Sequence, residues 1–269
     1  MEEESELGKV DMPSDNESCL TAKLCTAGAY NVSGSFACAD DAYPQTQKVL
    51  KLAKHSVFGD KRFLRRWINP YLEKIFSIPD RLIDDSDKNL TNILSERSSE
   101  FKETFIEPCS GSGAHLIELA RSNPEAFFVG FEKRYKRAFR TAEKSDGLKN
   151  LLVIRGEVDL SLFKDSSTAG VYLNFPDPWE KNQKNRVLNK IFIDELSRIL
   201  APNGFFSYKT DHKDSFESAK IALRERFLIT NLIENASKEE SGFQTEFEGL
   251  FRSKNLPIFV LRVKQNRSN

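Results

Sequence analysis

From Thr104 onward the chain alternates short apolar runs with segments whose apolar residues recur every three or four positions. The runs TFIE, AFFVGFE, NLLVIRGE and GVYLNF predict strands buried on both faces, because they lack the polar alternation of a half-solvated sheet. AHLIELARSN and KRYKRAFRTAEKS predict helices between them. Val187, Leu188, Ile191, Phe192, Leu196, Ile199 and Leu200 share one side of a further amphipathic helix, stopped by the PNG at 202–204. FFSYKT, SFESAKIALRERF, FLITNLI and PIFVLRVK then predict strand, helix, strand, strand. Strands alternating with helices imply an α/β fold, a doubly wound and mostly parallel sheet, with the final two strands as an antiparallel edge hairpin.

Ahead of this pattern, apolar residues from Lys48 to about Leu82 recur at near-helical intervals, interrupted by Pro70. They predict helical pieces packed on the domain that follows. The polar stretch DDSDKNLTNILSERSSEFKE leads into that domain. Residues 1–45 are acidic or small with no sustained apolar period, which predicts a flexible extension. The expected division is therefore 1–45 extension, 46–100 helical segment and 101–269 main domain.

Composition changes this picture in three places. With 269 residues and 39% hydrophobic content the chain can build one full α/β domain and a small appendage. No apolar run is long enough to cross a bilayer and the opening MEEESELGKVD is acidic, so a soluble, cytoplasmic protein is expected. The 40 basic and 40 acidic residues cancel, yet residues 1–45 carry nine acids against two lysines, leaving the remainder net positive and compatible with an anionic partner such as nucleic acid. Cys19, Cys25, Cys38 and Cys109 lack C-x-x-C spacing and read as reduced and non-ligating. With histidines only at 55, 115 and 212, no metal site and no Ser-His-Asp triad is expected.

Candidate chemistry collects at predicted strand ends, where ligands of such sheets bind. Gly111 and Gly113 in EPCSGSG allow a ligand close to the backbone at a helix N-terminus, although a tight turn explains two glycines equally well. Glu132 ends the next strand about 20 residues later, the interval at which an acid meets ribose hydroxyls. Glu157 ends the third strand, near an adenine edge or simply exposed. Glu107, just before the loop, disfavours a pyrophosphate and favours a cationic cofactor; S-adenosylmethionine offers an adenosine, an ammonium and a sulfonium.

In NFPDPWEKNQKNR, two prolines restrict the backbone around Asp177, while Lys181, Lys184, Arg186 and Lys190 suggest a polyanion. A proline turn opening a solvated helix face is the alternative. Taken with EPCSGSG, GFEKRYKRAFRTAEK, KTDHKD and TEFE at 245–248, this segment resembles the bacterial tRNA (guanine-N7)-methyltransferases of the TrmB type over roughly residues 60–264. Pro108 and Cys109 depart from the family's E-x-G-x-G-x-G loop, and Asn182, Gln183 and Asn185 thin its basic tail.

The resemblance implies a Rossmann-like class I methyltransferase sheet that binds S-adenosylmethionine and methylates N7 of guanine 46 in the tRNA variable loop. It implies Asp177 as catalytic acid, with Glu107, Gly111, Gly113, Glu132, Glu157 and Asp177 around the cofactor and Lys181, Asp211, Thr245 and Glu248 on the substrate. Asp211 and Glu248 would accept hydrogen bonds from guanine; Trp179 is either core packing or a base stack. Basic residues of KRYKRAFR extend an RNA track or form a solvated face. Two other readings stand beside this one: an exocyclic-amine methyltransferase, disfavoured because no adjacent prolines follow Asn174 or Asp177, and a catalytically silent RNA-binding subunit with Cys109 spoiling the loop.

Overall fold

The computed structural model describes Tyr71 and residues 74–265. The expectations for 1–45, and those for 46–70, fall outside the described residues. A compact unit from Lys74 onward carries the sheet, whose strands are β1 (Leu82–Asp84), β2 (Glu103–Pro108), β3 (Ala126–Phe131), β4 (Leu151–Arg155), β5 (Thr168–Asn174), β6 (Leu200–Thr210), β7 (Phe227–Ile233) and β8 (Phe259–Gln265). Their spatial order is β1-β4-β3-β2-β5-β6-β8-β7. All neighbours pair in parallel except β8, which runs antiparallel to both β6 and β7.

The central strands have no solvated face, which is why their sequences do not alternate. Phe127, Phe128, Val129 and the run Leu151 to Ile154 are all essentially inaccessible. Helices α1 (Leu90–Ser99), α2 (Ala114–Ser122), α3 (Tyr135–Lys144), α4 (Lys190–Ile199), α5 (Lys213–Leu223), α6 (Lys238–Ser241) and α7 (Glu246–Ser253) supply the covering layers. Leu196, Ile199, Phe216 and Leu223 pack with Ile106, Val171, Phe206 and Leu261 in one continuous core. No helix among the described residues is long and apolar enough to cross a membrane.

Three expectations are corrected. Within the 46–100 segment expected to be helical, Leu82–Asp84 form instead the parallel edge strand β1 beside β4, while α1 is a helix that buries Leu90 and Leu94 in the core. Arg155 secures that edge, its guanidinium reaching Asp84 at 2.7 Å and Asp85 at 2.9 Å with the Tyr135 ring 4.6 Å away. The last two strands do pair antiparallel, but residues 234–258 separate them and β8 sits inside the sheet, so they are not a tight hairpin. Ile191, expected on the buried side, is 76% exposed, because in the helix that starts at Lys190 it points away from the face carrying Phe192, Ile193, Leu196 and Ile199. Asn189 caps it, its side-chain oxygen accepting from the Phe192 N–H at 3.0 Å, while Val187 and Leu188 pack from the preceding extended segment.

The order of connection reverses between β2 and β5. From β2 the chain moves to β3 and β4 on one side, and from β5 to β6 on the other. A crevice therefore opens beyond the carboxyl ends of β2 and β5.

Candidate active site

A cavity of about 550 Å³ fills that crevice. The loop after β2 forms its floor in a conformation few side chains accept: Cys109, Gly111 and Gly113 have φ of 58°, 61° and 74°. At Gly111 a Cβ would have room, so only the dihedral requires glycine. At Gly113 a Cβ would also collide with the Thr141 side chain, so this residue sets the contact between α2 and α3 and is not among the cavity-lining residues. Cys109 occupies the left-handed region despite its Cβ, at a cost of about 1–2 kcal/mol. It is exposed at the mouth of the concavity, yet surrounding protein, together with the Glu132, Asp177 and Glu157 carboxylates, pushes its thiol up to about 12.

Glu107 is buried at the end of β2. Its Oε1 accepts from Asn174 Nδ2 at 2.8 Å and lies 3.0 Å from His115 Nδ1, while Oε2 has no partner. Asn174 Oδ1 is likewise buried without a donor. Two orphaned acceptors in one cavity wall need donors, since a buried unpaired polar atom costs about 1–3 kcal/mol. They suit an ammonium group, which brings three N–H donors and a positive charge. S-adenosylmethionine carries that group, and the residues present fit it.

Glu132 directly follows β3 and is also buried, its Oε1 accepting from the Arg134 N–H at 2.8 Å. Burial raises its pKa above the usual carboxylate range, against that hydrogen bond and the Arg137 and Arg134 charges. A hydroxyl donor from a ligand would offset the burial. Glu157 lines the cavity from the turn after β4 and is exposed, 3.6 Å from Lys133.

A further part of the wall comes from residues 175–179. Asp177 is exposed there between half-buried Pro176 and Pro178, and its flanking aromatics are both strained: Phe175 at φ 48° and Trp179 at φ 43°. Phe175 is held by its N–H to the Lys209 carbonyl at 2.8 Å, and Pro178 by its carbonyl to Arg186 Nε at 2.8 Å. Backbone strain retained on both sides of one carboxylate is characteristic of a functional position. Trp179 is 38% exposed with Lys133 6.0 Å from its ring centroid, and so belongs to the cavity wall and not to the core.

Of the expected substrate residues, Asp211 and Thr245 line the cavity. Lys181 is exposed beyond it and Glu248 is buried behind it. Thr245 is the N-cap of α7, its hydroxyl accepting from the Glu248 N–H at 3.0 Å. Glu248 therefore does not face the cavity: its carboxylate is spent on Lys209 at 3.2 Å, Ser241 at 2.5 Å and Arg252 at 2.7 Å. Of the basic tail, Arg186 is half-buried and turned back on Pro178, while exposed Lys190 pairs with Asp194. Sequence reasoning missed His115, Asn174, Glu246 and Phe247, all of which line the cavity. For Asn174 the signal was available: it is the polar residue that closes an apolar run, like Glu107 and Glu132.

Residues 102–261 match the family described as "Putative methyltransferase". A "tRNA (guanine-N(7)-)-methyltransferase" of Lactobacillus gasseri is 32% identical over 209 residues, covering 72% of this chain and 96% of that protein. The chain belongs to the tRNA (guanine-N7)-methyltransferase family. The Clostridioides difficile member is 27% identical over 202 residues, 72% of this chain and 94% of that protein. A "Bifunctional glycosyltransferase/methyltransferase" of Fusobacterium nucleatum is 32% identical over 214 residues, 73% of this chain, but the chain spans only 33% of that protein. Among solved structures, the 16S rRNA methyltransferase KamB aligns with a TM-score of 0.54 and 14% identity over 69% of this chain and 98% of that one. At that identity the likeness concerns the fold alone.

Proposed function

We propose that this chain is a tRNA (guanine-N7)-methyltransferase of the cytoplasm, transferring a methyl group from S-adenosylmethionine to N7 of the variable-loop guanine. The observation that carries the reading is the cavity at the β2–β5 reversal, with unsatisfied Glu107 and Asn174 acceptors in one part of its wall and Asp177, between two strained aromatics, in another. When bound, the cofactor supplies an electrophilic methyl whose carbon–sulfur electron pair returns to sulfur as the new carbon–nitrogen bond forms. Glu107 and Asn174 hold the ammonium, Glu132 accepts from ribose hydroxyls, Glu157 faces the adenine edge, and Gly111 lets the ligand approach the backbone.

Guanine N7 already presents a lone pair, so no residue has to remove a proton before attack. Positioning is the main task. As positive charge develops on the guanine ring, the fixed Asp177 carboxylate stabilises it more than it stabilises the ground state. Asp211 and Thr245 face the base from the far side of the cavity, and Lys181 and Lys184 meet RNA phosphates outside it.

Incubation of the protein with unmodified tRNA and labelled S-adenosylmethionine, followed by nucleoside mass spectrometry, tests this. Label in 7-methylguanosine is expected. Label in an exocyclic amine would support the amine-methyltransferase reading instead, and an isothermal titration in which S-adenosylmethionine does not bind would support the silent RNA-binding one.

A further inference from the structure

Among the described residues, the cluster around Glu248 is a buried group of charges that the chemistry above leaves unused. Lys209, 2% exposed on β6, donates from Nζ to the Phe243 carbonyl at 3.0 Å and to Glu248 Oε2 at 3.2 Å. One ammonium thus grips both ends of segment 243–248. Glu248 Oε1 accepts from Ser241 Oγ at 2.5 Å and from Arg252 Nη2 at 2.7 Å and Nε at 3.1 Å. Arg252 continues to the carbonyls of Ala236 at 2.8 Å and Ser237 at 3.0 Å. Burial acts to raise the Glu248 pKa, but the Ser241 hydrogen bond, the Lys209 charge and Arg252 outweigh it, and the carboxyl is held below its ordinary range. Burial also draws Lys209 below the usual lysine value, with Glu248 opposing. With donors from three residues converging on it, Glu248 is the secure anion of the pair.

A carboxylate with about four acceptor positions, both oxygens engaged and no exposed surface has nothing left to offer a base. Turning it toward the cavity would leave Lys209 as a buried charge without its counter-ion and take from Arg252 its carboxylate partner. What the cluster does instead is orient its neighbours. Thr245, Glu246 and Phe247 line the cavity, with Arg137 5.6 Å from the Phe247 ring centroid. We infer that Lys209 is a positioning residue for the RNA base: with Ser241 and Arg252 it anchors Glu248 as a buried counter-ion, so that Thr245, Glu246 and Phe247 face the substrate and Glu248 does not touch it. This inference rests on the guanine-N7 reading for the identity of the base, but not for the existence of the clasp.

Two measurements test it. Hydrogen exchange in Lys209→Met and Glu248→Gln, without RNA, should accelerate across residues 236–253 while the exchange of β2 to β4 is unchanged; unchanged exchange across 236–253 in both variants would overturn the clasp. Transfer assays then compare tRNA carrying guanosine with tRNA carrying inosine, which lacks the exocyclic amine, at the target position. Glu248→Gln is expected to lower kcat/KM for tRNA by about 10- to 100-fold with cofactor affinity retained, as a misplaced substrate loop would. The loss should multiply with that from inosine, because the two changes remove different interactions. If Glu248→Gln and inosine together cost no more than either alone, Glu248 touches that amine and the positioning role is wrong. Absence of 7-methylguanosine with the unaltered protein would sink the proposed reaction instead, leaving the exchange result to decide the clasp.

Discussion

Asp177 and Cys109 face each other's consequences across the cavity. Asp177→Asn keeps the shape of the turn and removes its charge, so turnover should fall by about 10²-fold or more with the melting temperature and cofactor affinity preserved; single-turnover kinetics would show it. Near-normal turnover would reduce Asp177 to a turn residue. Cys109 sits where the family's loop has glycine, and its φ of 58° gives the physical reason for that preference. In Cys109→Gly the strain relief of about 1–2 kcal/mol is offset by roughly 0.4–1 kcal/mol from a freer unfolded chain. Stability should therefore change little, and cofactor affinity should hold or improve as the side chain leaves the cavity mouth. Because the thiolate is the nucleophile and the thiol is pushed up to about 12, iodoacetamide should alkylate Cys109 more slowly than free cysteine at pH 8. The rate should climb steeply through pH 9 to 11, and saturating cofactor should suppress it; identical rates with and without bound cofactor would put Cys109 outside the pocket.

The contact between α2 and α3 explains why Gly113 is needed although it does not line the cavity. Gly113→Ala meets both a left-handed dihedral and the Thr141 side chain, and should destabilise the fold by about 2 kcal/mol or more. Thr141→Ser in the same chain removes the methyl that Cβ would strike, so part of the lost urea midpoint should return. Elements of this kind also mark what the sequence can and cannot disclose. Glu107 and Glu132 were legible because each terminates an apolar run, and a parallel sheet places such termini together. β1 was not, since three residues carry no period. The fate of Glu248 was hidden for another reason. TEFE looks the same whether its second acid faces a ligand or a lysine from β6, and only the pairing of distant segments decides.

On the scale of the whole molecule, net positive charge remains outside residues 1–45, and Lys181 and Lys184 are exposed members of it in the segment after Trp179. If each meets a phosphate, Lys181→Ala and Lys184→Ala should each lower the slope of log affinity for tRNA against log salt by about 1, with transfer to bound RNA still specific for N7. An unchanged slope would remove them from the RNA path. The position of β8 has a consequence of another kind, in the order of synthesis. β6 pairs with β8, Phe205 opposite Lys264, and β7 reaches the sheet only through β8. While a ribosome is still adding residues 254–265, the nascent sheet ends in an open β6 edge and β7 has no partner at all. Lys209, whose ammonium holds the Phe243 carbonyl and Glu248 beside the cavity, and Thr210 lie on that same unfinished edge, opposite Val260 and Phe259. Substrate-side assembly must therefore wait for the far end of the chain, while the β1 to β5 half can already be in place. A chain halted before Phe259 should emerge as an aggregating half-sheet with exposed strand edges, not as a weakened enzyme.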